Sequence, residues 1–148
     1  HSYGDLMMKN SNWALIYFII FLFSTVNVFA GVEQRAVKII KPLHKAVVSN
    51  PVEICMEAYG LEVESVENGV NEGKGHHHVI VDMYEPDRPG MPLPPKKDSK
   101  FIHLSDGSAC IKMILPTGRH FIRTLFSRGN HIPYHPLISD TIIIYIEK

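Results

Sequence analysis

The chain is expected to fold as an all-β, immunoglobulin-like antiparallel β-sandwich of about seven strands behind an N-terminal signal peptide. Three observations predict it. Short runs rich in Val, Ile and Phe alternate apolar and polar residues, as in "PVEICMEAYG" and "SACIKMIL". Turn dipeptides and prolines separate these runs at sandwich-like spacing. No segment after residue 30 carries a convincing 3.6-residue apolar period.

The first thirty residues read as an export signal. Lys9 is a short basic flank, "WALIYFIIFLF" (Trp13 to Phe23) is apolar throughout, and "VFA" (Val28 to Ala30) ends on a small residue. Ser24, Thr25 and Asn27 interrupt the apolar stretch, and a spanning helix needs about 20 mostly apolar residues. Cleavage is therefore expected, with no stable membrane span afterwards. No cysteine near Ala30 offers a lipid attachment site. His1 to Leu6 precede the first methionines, Met7 and Met8, and fit no signal. The domain boundaries expected are residues 1–30 for this leader and 31–148 for one sandwich domain, in the periplasm or secreted. A domain of about 118 residues can bury a core.

The expected strands follow in order. Arg35 to Pro42 is short. Pro51 to Gly60 alternates, with Val52, Ile54, Met56 and Ala58 on one face and Glu53, Cys55 and Glu57 on the other. His77 to Tyr84 is the third and Lys100 to Leu104 a short fourth. Ser108 to Leu115 turns Ala109, Ile111, Met113 and Leu115 inward. Arg119 to Ser127 and Asp140 to Lys148 complete the set. "SDG" (Ser105 to Gly107) and "PTG" (Pro116 to Gly118) are tight turns. "PDRPGMPLPP" (Pro86 to Pro95) is an extended crossing unsuited to a central strand. The acidic stretch Glu62 to Gly75 is expected to be a flexible, solvated loop.

Formal net charge is zero with histidine neutral. That argues against nucleic-acid binding, which needs a strong positive patch. Histidine is abundant, with nine in the chain. Tracing antiparallel neighbours brings His76, His77, His78, His103, His131 and His135 to one end of the sandwich. His44 and His120 fall at the other end, where a structural role suits His120. Neutral imidazole is a common ligand for copper and zinc. In a strand, His76 and His78 share a face while His77 points away. The candidate metal ligands are therefore His76, His78, His103, His131 and His135, with copper or zinc as the ion. Asp82 is a candidate to orient a ring, and Met83 or Met91 a candidate soft ligand for Cu(I). Histidines that merely brace loops through hydrogen bonds are the competing reading. Met56 and Met113 fall at packing positions.

An enzyme is not expected. Ser49, Ser105, Ser108 and Ser139 sit in no nucleophile elbow, and no pair of carboxylates stands out. Copper chemistry on superoxide uses a sandwich scaffold, but its ligand spacing is not visible here. The two cysteines, Cys55 and Cys110, belong on neighbouring strands and outward faces. A disulfide and two free thiols both remain open at this point.

"GHHHVIVD" (Gly75 to Asp82), "IHLSDG" (Ile102 to Gly107), "LPTGRH" (Leu115 to His120) and "NHIPYHPLIS" (Asn130 to Ser139) occur in an order that resembles the secreted bacterial family called domain of unknown function 4399. "SNPVEICMEAYGLEV" (Ser49 to Val63) resembles its opening strand. The likeness spans about Ser49 to Ile146. It implies an exported, single-domain β protein and supplies no mechanism. Two departures stand out. Ser108, Ala109 and Cys110 follow Gly107 where the family commonly has a Gln-Thr-Glu-like run. Tyr134 occupies the last place of an H-x-P-H pattern, with His135 one residue later. Two roles are compatible with all of this: a metal-binding module for buffering, transport or sensing, or a non-catalytic interaction module of the cell envelope.

Overall fold

The computed structural model describes Gly31 and residues 33–84, 88–95 and 99–148. The expected signal segment, residues 1–30, lies outside the described residues. Nine strands form: β1 (Ala36–Lys41), β2 (Val47–Val48), β3 (Val52–Tyr59), β4 (Glu62–Val63), β5 (Lys74–Val81), β6 (Phe101–His103), β7 (Cys110–Met113), β8 (Gly118–Ser127) and β9 (Ser139–Ile146). They make two sheets. One has the order β1-β3-β7, the other β2-β9-β8-β5-β4, with β6 also paired to β5. This is an immunoglobulin-like sandwich, with β1, β3 and β7 in one sheet and β5, β8 and β9 at the centre of the other.

Period-two alternation drives the packing. Val52, Ile54 and Met56 of β3 meet Val79 and Val81 of β5, Ile122 of β8 and Ile142, Ile144 and Ile146 of β9 in one core. Each of these side chains gives about 1.5–3 kcal/mol on leaving water. Met56 is buried and Met113 packs at the margin, both as expected. Ala109, expected inward, is exposed. Strand β7 begins one residue after it, and its carbonyl instead receives the Met56 N–H at 2.8 Å.

Three other features differ from the sequence reading. Strand β5 starts at Lys74, so the histidine triplet lies inside the strand, paired with β8 from His76↔Ser127 to Val81↔Ile122. Two short parallel pairs, β2 with β9 and β4 with β5, extend an otherwise antiparallel sheet. The Glu62–Gly75 stretch is no loose loop. It adds β4 and a single 3₁₀ turn, Val66–Asn68, whose first N–H groups are met by Ser65 Oγ accepting from Glu67 N. Asn71 donates to Glu64, while Lys74 and Arg35 pair with Glu62 and Glu72. The acidic side chains thus find local partners, which a charge count does not reveal.

Cys55 and Cys110 face each other directly across β3 and β7 and form a disulfide on the outer face of the three-stranded sheet. Among the described residues no helix is long and apolar enough to cross a membrane.

The crosslink closes a loop spanning 55 positions. Replacing both cysteines with alanine is expected to cost about 2–4 kcal/mol of stability by denaturant unfolding. An unchanged midpoint would contradict a stabilising role. Gly75 gives a sharper test. A Cβ there would lie 1.9 Å from the Ser127 carbonyl oxygen. Gly75→Ala must therefore push β5 away from β8, and a drop in melting temperature of several degrees is expected.

Candidate metal centre

Alternation along β5 sends His77, Val79 and Val81 into the space between the sheets. It sends His76, His78 and Ile80 to the outer face of the larger sheet. That outer face is not open. Ile80, Phe101 and Leu125 cluster there under Leu93 and Leu137. Leu93 belongs to the proline-rich crossing, whose described part, residues 88–95, holds no strand. All three β5 histidines are fully buried.

His103 on β6 sits directly opposite His78. His131 arrives from the β8–β9 loop with a left-handed backbone (φ 63°), a state only a few per cent of non-glycine residues adopt. Its N–H bonds the Arg128 carbonyl at 2.9 Å, and its own carbonyl accepts from Leu93 N at 2.9 Å. The expected gathering at one end is thus more specific: the rings meet on the sheet's outer face, beneath the crossing.

Four imidazoles converge. His76 Nε2 lies 3.1 Å from His131 Nδ1, His78 Nε2 is 3.1 Å from His103 Nδ1, His103 Nδ1 is 3.2 Å from His131 Nδ1, and His131 Nδ1 is 3.4 Å from His78 Nε2. All four ligand atoms fall within 4.8 Å of one another, close enough to hold one metal ion. A zinc–nitrogen bond of ~2.0–2.1 Å puts tetrahedral nitrogens about 3.3–3.4 Å apart. The triangle of His78, His103 and His131, with edges of 3.1, 3.2 and 3.4 Å, suits such an ion, and His76 lies 3.1 Å from its His131 corner.

The backbone sets the tautomers. His78 Nδ1 faces the Leu125 carbonyl at 3.3 Å, and His103 Nε2 faces the Pro94 carbonyl at 3.1 Å. A carbonyl only accepts, so each of those nitrogens carries the hydrogen. The nitrogens of His78 and His103 that face each other then both carry a lone pair rather than a hydrogen, and a cation lying between them can bond to both.

Burial favours the neutral, ligating form. It pushes the His76 ring down to about 4, with the neighbouring His131, His103 and His77 rings adding to the shift. Burial likewise holds His78 well below the ordinary imidazole value, reinforced by His76, His103 and His131. His103 and His131 are half-buried and border a cleft shared with Leu93, Pro95, Ile102 and Ser105, which opens the group to solvent.

The family model for Domain of unknown function (DUF4399) matches residues 52–147. The chain belongs to this family. No curated protein and no solved structure matches the chain. The GHHH run of this DUF4399 chain now has a physical reading. Gly75 allows β5 to approach β8, two histidines project to the outer face, and the middle one packs inward.

The other candidates lie elsewhere. His135 is exposed and outside the group of four. Tyr134, next to it in the chain, is buried. It donates to the Lys74 carbonyl at 2.8 Å, stacks on Phe126 and carries the Arg128 guanidinium 4.3 Å from its ring centre. It braces the loop that presents His131. Asp82 does not orient any of the four rings. It accepts from Phe121 N at 2.9 Å and pairs with His120 Nδ1 at 2.6 Å, while His120 Nε2 donates to the Pro116 carbonyl at 2.6 Å. His120 is thus structural, as expected. His44 accepts from Ile143 N. Met83 packs with the Ile80 cluster and Met91 is exposed. The sequence reading passed over Pro94 and Leu125, whose carbonyls act through the backbone and leave no side-chain signal.

His77 meets Phe126 edge-on, and neither ring nitrogen has a hydrogen-bond partner among the described residues. Burial lowers its pKa to about 4. In the unfolded chain His76 and His77 titrate near 6.5. Between those values the unfolded chain binds more protons, so acid favours unfolding. Metal-free protein is expected to keep its full stability above pH 6.5 and to lose it progressively toward pH 4. A melting temperature in chelator that stays flat across that window would contradict the burial of neutral rings.

Proposed function

We propose that this domain binds one copper or zinc ion through His76, His78, His103 and His131, to buffer, carry or sense the metal. The supporting observation is the facing pair His78 Nε2 and His103 Nδ1, 3.1 Å apart, with both outer nitrogens committed to carbonyls. A cation shared by these rings gains a coordinate bond from each. His76 and His131 complete a four-nitrogen set.

The ligand count favours a binding role over catalysis. Catalytic zinc sites keep three protein ligands and an open fourth position, whereas closed sites use four. Four imidazoles leave no vacant tetrahedral position. The half-buried pair bordering the cleft provides a route for exchange, which suits buffering or transport. The apolar leader with its small-residue exit supports action outside the cytoplasm, in the periplasm or as a secreted protein. His135 is left out of the proposed set because it lies apart from the four.

Purified untagged protein should bind about one zinc or copper ion per chain. At a free metal concentration 100 times Kd, stability should rise by about 2.7 kcal/mol. Replacing both His76 and His78 with alanine should weaken binding more than about 100-fold, since even losing a supporting partner costs 10–100-fold. His135→Ala should leave affinity unchanged. Weak binding without thermal stabilisation would instead favour an interaction module of the cell envelope.

A further inference from the structure

We infer that the four-histidine site holds copper as Cu(I) in preference to Cu(II). The inference rests on the reading of these histidines as metal ligands and concerns which oxidation state their arrangement selects.

The decisive geometry is at His131. Its Nδ1 has three neighbouring ligand nitrogens at nearly equal distances: His76 Nε2 at 3.1 Å, His103 Nδ1 at 3.2 Å and His78 Nε2 at 3.4 Å. In a square plane of ~2.0–2.1 Å bonds each nitrogen has two neighbours at about 2.8–3.0 Å and a third at about 4.0–4.2 Å. Three near-equal neighbours do not fit such a plane, and His78, His103 and His131 alone form a triangle with edges of 3.1, 3.2 and 3.4 Å, the shape of a trigonal or tetrahedral face, with no trans pair. Cu(II) prefers square-planar or tetragonal nitrogen ligation. Cu(I), with a filled d shell like zinc, has no such demand.

The frame resists adjustment toward a plane. His78 is tied to the Leu125 carbonyl and His103 to the Pro94 carbonyl. His76 and His78 share one face of a strand that is hydrogen-bonded on both sides. His131 is held through its own backbone by Arg128 and Leu93. Flattening the site would break several of these bonds at once.

Charge acts in the same direction. The ligand group contains four neutral imidazoles and, among the described residues, no carboxylate or thiolate. Asp82, four positions beyond His78, is engaged with His120 and Phe121. A divalent ion therefore retains both charges beside Leu93, Ile102 and two fully buried rings. The Born cost of burying an ion grows with the square of its charge, so Cu(II) bears about four times the penalty of Cu(I).

The test compares oxidation states on one sample. Untagged protein is titrated anaerobically with Cu(I) as its acetonitrile complex, and separately with Cu(II) and with zinc, each against a chromophoric chelator. Cu(I) should bind one equivalent, give no paramagnetic signal and bind at least tenfold tighter than Cu(II). Tenfold corresponds to a bound potential about 59 mV above that of aqueous copper. His131→Ala removes one corner of that triangle from a half-buried loop position and should lower that preference, with circular dichroism confirming the fold. Equal or tighter Cu(II) binding with a square-planar spectrum, while zinc still binds, would overturn the inference and leave the metal-binding reading standing. Failure to bind any of the three ions would overturn both.

Discussion

Everything at the site depends on the register between β5 and β8. His76↔Ser127, His77↔Phe126 and His78↔Leu125 pair across that ladder. A strand's side chains alternate faces, so a slip of one residue would turn His76 and His78 into the core and leave His77 alone outside. Gly75 enforces the approach, because no side chain fits against the Ser127 carbonyl. The ladder thus decides which histidines meet and which one is entombed.

The second constraint is the cover. Imidazoles on an outer sheet face would ordinarily be wet and would titrate freely. Here residues 88–95 and the β8–β9 loop close over them, and Pro94 and Leu93 bond the His103 ring and the His131 backbone respectively. Burial makes protonation costly, and the carbonyls choose which nitrogen is bare. Both effects leave the same atoms able to ligate a metal ion. Tyr134, locked beneath Arg128 and against Phe126, keeps the loop in place without touching the ion site.

The disulfide lies on the other sheet, remote in topology from the four rings. The crosslink restrains β3 and β7, while the four clustered histidines come from β5, β6 and the β8–β9 loop. His120 and Asp82 anchor the far end of β8 in a closed set of bonds to Phe121 and Pro116. This is why Asp82, one residue past the end of β5, stays apart from the four histidines.

Much of the architecture was legible in the sequence because alternation and turn chemistry are local. Strands β1, β3, β5, β6, β7, β8 and β9 follow from runs such as Val52–Tyr59 and Ser139–Ile146, and the shared face of His76 and His78 follows from period two alone. The short parallel strands β2 and β4 carry no such signal, because two residues are too few to show a period. What only the tertiary structure decided is long-range. It placed His103 and His131 at bonding distance while setting His135 aside. It drew Asp82 to His120, and it recruited the Pro94 and Leu125 carbonyls to set the tautomers. The backbone groups of every residue look alike in sequence, and only folding determines which of them a buried ring will face.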